Sequence, residues 1–192
     1  ELEGAAPDIV TVTGKLNSAK ALTGHAVERL RTAIYALHHG AEESSESLPV
    51  LLRRLSTVHL PSDLTVVVTV RGTQRPLAGA LEHAVLRITG EALFNAVSHT
   101  DARQAVVRLH YRDDRVVLSV SDDGGGDPVQ LRKMLRVSTA ADLGGGHRGL
   151  ANMQGRCEEF GGMLTIRRSA LGGITMRAEL PAPPRIALGG RS

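Results

Sequence analysis

The sequence predicts an α/β protein, a two-layer sandwich with helices packed on one face of a mixed sheet. Three observations carry that prediction. Strand-like and helix-like patterns are interleaved over residues 64–180. Two hairpins join neighbouring strands, one through Asp113-Asp114 and one through Gly172-Gly173, which excludes a purely parallel doubly wound sheet. Hydrophobic residues make up 42% and charged residues 22% of the 192, a balance that buries the core of one ordinary domain and is unlike a disordered chain.

Each element has its own signal. Residues 15–39 read as one helix, because Val27, Leu30, Ile34 and Leu37 form a narrow heptad-like seam and Gly40 offers a stop. That seam asks for a facing helix; an ordinary amphipathic helix on the domain's own core has the same pattern. The polar stretch AEESSES at 41–47 reads as a linker, followed by a short helix at Leu48–Thr57 that Pro61 closes. Leu64–Val70 is short and β-branched, hence a strand. Over 77–98, Leu81, Val85, Ile88, Ala92 and Ala96 recur at a helical period. Gln104–Tyr111 and Arg115–Ser121 alternate as a hairpin pair. Two glycine triplets flank a short helical stretch near Val129–Val137, and another helix runs from about Gly149 to Phe160. Strands are expected at Met163–Arg167 and Ile174–Leu180, before Pro181, Pro183 and Pro184 close the fold and residues 183–192 form a disordered tail.

Composition also excludes function classes. Lys plus Arg exceeds Asp plus Glu by only 23 to 20, and four aromatics occur (Tyr35, Phe94, Tyr111, Phe160), so no nucleic-acid partner is expected. No run approaches the ~18 apolar residues of a membrane span, and no membrane contact is expected from this portion. The single Cys157 rules out an internal disulfide framework and a multi-cysteine zinc site, and fits a cytoplasmic protein. The chain opens at Glu1 without Met or signal peptide and reads as a piece of something longer.

Four constellations carry chemistry. Glu91, Asn95 and His99 lie four apart and share one helix face, placing a carboxylate, an amide and an imidazole together. A carboxylate can orient or deprotonate water, and an amide oxygen suits Mg²⁺, which fills its octahedron with phosphate oxygens and water. Asp122, with Gly124 and Gly126 after a strand, pairs a hydrogen-bond acceptor with residues that let backbone approach a ligand. Gly146, His147, Arg148, Gly149 and Leu150 open a helix, where free N–H groups face an anion and Arg148 adds charge. The last is Gly172-Gly173-Ile174-Thr175, a turn into a strand. Read singly, these are a polar helix stripe, two glycine turns and a capped helix; their order and spacing together say more.

In that order, Glu91…Asn95…His99, Asp122-x-Gly124-x-Gly126, Gly149-Leu150 and Gly172-Gly173-x-Thr175 resemble the motifs of the ATP-binding domain of sensor histidine kinases. Phrases such as EALFNAVSH, LSVSDDGGG, HRGLANMQGRCEEFGG and LGGITMRAELP are nearest the subfamily whose partners are LuxR/NarL-type response regulators. The resemblance covers roughly residues 64–181. Upstream, VERLRTAIYALHHG is similar to the end of the second helix of that subfamily's dimerisation hairpin.

The resemblance implies the left-handed α/β sandwich shared with gyrase-type and Hsp90-type ATPases (the Bergerat, or GHKL, fold). It implies a remnant of the dimerisation hairpin at 1–40, linker and short helix at 41–61, and the ATP-binding domain at 62–182. The cofactors it implies are ATP and Mg²⁺. Glu91 then polarises the attacking group or its water, Asn95 holds Mg²⁺, and Asp122 accepts from the adenine amino group. His99 shares that helix face. Gly124 and Gly126 leave room for nucleotide, Gly149 with Leu150 forms the turn under the phosphates, and Thr175 joins the adenine-side hydrogen bonds. The implied partners are a response regulator and, in the whole protein, a second copy paired through the hairpin. The resemblance is compatible with a membrane-anchored parent and implies a cytoplasmic place for this portion.

The sequence departs from the family in three places. The phosphate loop reads Gly146-His147-Arg148-Gly149 rather than glycines separated by one residue; no phenylalanine motif lies between Gly126 and Gly146; and no Glu-Leu-His-Asp acceptor motif is present. His25, His38 and His39 fall on or near the second hairpin helix, so the acceptor is expected before residue 1. The competing reading is a catalytically inactive nucleotide-binding module that regulates a partner by heterodimerising through 15–39. An anti-sigma-factor kinase of the same fold leaves that seam unexplained.

Overall fold

The structure, a computed structural model, describes residues 46–58, 64–137 and 148–183. The expected helix at 15–39, the linker up to residue 45, Pro61, the second glycine triplet and the tail from 184 lie outside the described residues. The chain divides between Ser45 and Glu46, and every described residue belongs to the second unit.

Four helices and five strands succeed one another as α1 (Leu48–Val58), β1 (Thr65–Arg71), α2 (Gly79–His99), β2 (Gln104–Tyr111), β3 (Arg115–Asp122), α3 (Pro128–Val137), α4 (Arg148–Glu159), β4 (Met163–Arg168) and β5 (Ile174–Pro181). The strands form one sheet in the order β1-β2-β3-β5-β4. β1 and β2 are parallel, joined by the α2 crossover; the other pairs are antiparallel. The mixed sheet expected from the two hairpins is therefore present.

Side-chain alternation explains the layers. Ala105, Val107, Leu109 and Tyr111 of β2 are buried, as are Val116, Leu118 and Val120 of β3 and Ile174, Met176, Ala178 and Leu180 of β5. These face the helices, which supply Leu81, Val85, Ile88 and Leu93 from α2 and Leu150, Met153 and Cys157 from α4. Each fully buried large aliphatic side chain contributes roughly 1.5–3 kcal/mol, so this layer contact is the main source of stability. The opposite sheet face carries the intervening residues and has no described helix over it.

One boundary differs from the sequence reading, which grouped Leu48–Thr57 with the linker. Leu48, Leu51 and Leu52 are buried, and α1 packs on β1 and α2 as part of the same core. The spacing of those leucines makes one apolar stripe, and the outer strand β1 offers a surface for it.

Candidate functional site

The site is assembled from the C-terminal half of α2, the end of β3, the β4–β5 turn and the start of α4. Along α2, Glu91 and Asn95 are half-buried, whereas His99 is exposed in the last turn, edge-on to Phe94 with ring centroids 6.5 Å apart. The helix ends where Thr100 Oγ1 donates to the Ala96 carbonyl at 2.6 Å and accepts from the Ala102 amide at 3.2 Å. A polar side chain thus closes the helix beside β3.

Glu91 touches the first turn of α4. A Cβ on Gly149 would overlap the Glu91 carboxylate, so glycine is what lets α4 approach this acid. Gly149 and Leu150 are both buried. The structure therefore brings together Glu91 and the loop-to-helix turn, two pieces that the sequence separates by more than fifty residues. Gly146, His147 and the Arg148 side chain lie outside the described residues.

Asp122 ends β3 on the helix-facing side and is only 7% exposed. Its Oδ1 accepts from the amides of Gly124 at 3.0 Å and Ile174 at 3.2 Å. Among the described residues no hydrogen bond and no cation reaches Oδ2. Burial raises the pKa of this carboxyl above the usual aspartate value; the two amides pull it back, and neighbouring Asp123 adds to the rise. The result is a desolvated acceptor held rigidly on one lobe and open on the other, which suits an amino group arriving as a donor.

The glycines around it have distinct reasons. A Cβ on Gly173 would overlap Asp122 Oδ1, and its amide donates to the Asp122 carbonyl at 3.2 Å. A Cβ on Gly124 would strike Thr100, so this glycine closes the β3 end onto the α2 terminus. Gly126 has φ +135°, and its carbonyl accepts from Arg168 at 3.0 Å.

Two neighbours take other roles. Asp123 is turned away: its Oδ1 accepts from the amides of Arg103 at 2.8 Å and Gln104 at 2.9 Å, clamping the start of β2. Those amides, Gln104's foremost, hold its pKa below the usual value. Thr175 was expected among the adenine-side hydrogen bonds, but the structure does not bring it to Asp122. It sits on the sheet face away from the described helices, 2.9 Å from Ser121 Oγ, because residues adjacent to Asp122 and Ile174 must point the other way. The residue that reaches Asp122 is Ile174, through its backbone. The sequence reading missed Ile174 and Gly173 as site residues, although Gly172-Gly173 marked the turn.

Among the described residues no group of three or more His, Cys, Asp or Glu is placed to hold a metal. An Mg²⁺ site built on one amide oxygen and the phosphates needs no such group, and half-buried Asn95, one turn beyond Glu91, fits that donor set.

The structure is a one-sided α/β sandwich with a buried aspartate at a strand end whose Oδ2 has no described partner, an arrangement that suits a nucleotide base. Comparison with known proteins gives the family. Residues 80–184 match the model for histidine kinase-, DNA gyrase B- and HSP90-like ATPases, and the chain belongs to that family. It is 31% identical over 161 residues to the sensor histidine kinase NarS of Mycobacterium tuberculosis, covering 83% of this chain and 35% of NarS. It is 32% identical over 89 residues to the nitrate/nitrite sensor protein NarX of Escherichia coli, covering 46% of this chain and 13% of NarX. The chain thus spans about a third or less of these relatives' length. The crystal structure of the ATP binding domain of PrrB from Mycobacterium tuberculosis has the same fold, with TM-score 0.56 and 22% identity over 72% of this chain and 96% of that one. No helix among the described residues is long and apolar enough to cross a membrane.

Proposed function

We propose that this chain binds Mg·ATP and is the catalytic portion of a two-component sensor histidine kinase. In that reaction a histidine imidazole nitrogen attacks the γ-phosphorus, the bond to the β–γ bridging oxygen breaks, and ADP leaves with that electron pair. The phosphoryl group then passes to an aspartate of a response regulator. The observation that carries the reading is Asp122, buried and held through Oδ1, with Oδ2 unpartnered among the described residues and so available to the adenine amino group.

The remaining residues supply positioning and charge, which is most of what phosphoryl transfer needs. Glu91, packed on Gly149, sits where the phosphate-side turn begins and polarises the attacking group. Asn95 supplies the Mg²⁺ ligand, and the start of α4 offers backbone N–H groups to the phosphates. By the sequence reading, Gly146, His147 and Arg148 are nucleotide-binding residues as well. Membership of an ATPase family and likeness to the sensor histidine kinase NarS support this reading; a LuxR/NarL-type response regulator, a homodimer built through the hairpin and a cytoplasmic location complete the proposal.

Calorimetry with ATP, with and without Mg²⁺, tests the binding half. Asn95→Ala should weaken Mg·ATP more than metal-free nucleotide; equal losses make Asn95 structural. Radiolabel from γ-labelled ATP tests the transfer half. A longer protein carrying the complete hairpin should acquire acid-labile label, and residues 1–192 alone should not. Label on His25, His38 or His39 of this chain overturns the expected acceptor position.

A further inference from the structure

A second concave surface lies away from the nucleotide site, along the edge of β4 that no described strand covers. Consecutive residues 162–167 form one wall of a cleft of about 440 Å³. Arg132 and Arg136 of α3 and Gln154 and Glu158 of α4 also line it, and Arg167 stands on the strand itself. Among the described residues β4 is the last strand of the sheet and pairs only with β5.

Its outward backbone groups can be assigned. Arg132 donates to the Ile166 carbonyl at 2.9 Å, so that carbonyl points into the cleft, away from β5. Antiparallel alternation turns the main chain of Leu164 the same way. The charge is one-sided: three arginines and one carboxylate line the cleft, and Glu158 is engaged by Gln154 at 2.7 Å. Arg136 and Arg167 have no ion-pair partner among the described residues.

We propose that this cleft docks an extended acidic segment of a partner protein, which pairs with the β4 edge and places carboxylates on Arg132, Arg136 and Arg167. Main-chain donors and acceptors along an edge strand are matched by another strand, and guanidinium forks by carboxylates. A small anion satisfies the arginines but leaves the strand edge unmatched, which favours a peptide. On docking, Arg132 exchanges the Ile166 carbonyl for a carboxylate and frees that acceptor for the incoming strand. The proposal goes beyond the nucleotide reading and is independent of it, since no residue here belongs to the ATP site.

The test is fluorescence anisotropy on the full chain with a labelled peptide of about ten residues alternating Glu and Val, the length a short added strand needs. It should bind at least about tenfold tighter than the Lys-for-Glu peptide, and N-methylation of alternate amides should cost a similar factor. Arg136→Glu with Arg167→Glu should abolish binding and leave ATP affinity unchanged, the latter also showing that the variant folds. Arg132→Gln should weaken binding with less change of surface charge. Indifference to N-methylation, or equal competition by citrate, overturns the strand-pairing claim in favour of a small-anion site. Self-association that disappears in the double variant overturns it in favour of a second copy as occupant.

Discussion

Replacing Asp122 by Asn separates the two things this residue does. The amide keeps Oδ1, so the bonds from Gly124 and Ile174 survive, but it puts a donor where Oδ2 stood. An adenine amino group then meets a donor instead of an ionised acceptor. Losing a charged hydrogen bond in a buried site costs about 1.5–3 kcal/mol, or roughly ten- to a hundredfold in ATP affinity.

Stability should move the other way. Burial raises the carboxyl's pKa, so the folded chain binds this proton more tightly than the unfolded chain. Stability from the group is complete below the ordinary value of 3.8 and is lost as pH rises through the folded value. At neutral pH the ionised acid therefore weakens the fold, and Asn removes that penalty. Relief of a destabilised functional residue is commonly worth about 0.5–2 kcal/mol, which raises Tm by a few degrees in a chain of this size. Melts of both proteins from acid to neutral pH, beside ATP calorimetry, check both arms. The stability gap should close below pH 3.8, where both side chains are neutral. Unchanged ATP affinity would refute the adenine role, and a lower Tm at neutral pH would refute the burial argument.

The geometry fixes three further outcomes. Gly149→Ala drives a methyl into the Glu91 carboxylate and should cost about 1–3 kcal/mol of stability, together with loss of phosphoryl transfer; a melt unchanged from wild type rejects the close contact. Asp123→Ala should leave ATP affinity intact and destabilise the fold modestly. That loss should be present above pH 3.8 and fade as pH falls through the depressed pKa of Asp123, as melts across pH will register. Cys157 is fully buried, with its thiol pKa pushed up to about 11, so thiol reagents should modify it only as fast as the domain unfolds. Rapid labelling of the native protein contradicts that.

The fold was legible because its elements rest on simple periods. The two-residue period of 104–111 and 115–121 and the helical period of Leu81, Val85, Ile88 and Ala92 appear in the structure as β2, β3 and α2. The placement of α1 was not legible. Its leucine stripe is visible in the sequence, but the surface that buries it is made by β1 and α2, and the polar stretch before it invites a linker reading.

At the site, legibility stopped where side-chain direction took over from residue type. Asp122 and Asp123 are adjacent and chemically alike, yet one is buried with a raised pKa and the other clamps β2 with a lowered one. Strand alternation decides which is which: Val116, Leu118 and Val120 face the helices, so Asp122 must face them too and Asp123 cannot. The same count, run back from Leu180 through Ala178 and Met176, turns Ile174 inward and Thr175 outward. That signal was in the sequence, whereas the motif drew attention to the hydroxyl. What no periodicity reveals is the demand on Gly149 and Gly173. Each is required because a carboxylate from a distant segment, Glu91 or Asp122, occupies the space a side chain would need. Such contacts exist only once α4 and the β4–β5 turn have closed over α2 and β3, so these glycines are where the closure of the fold and the shape of the site become one constraint.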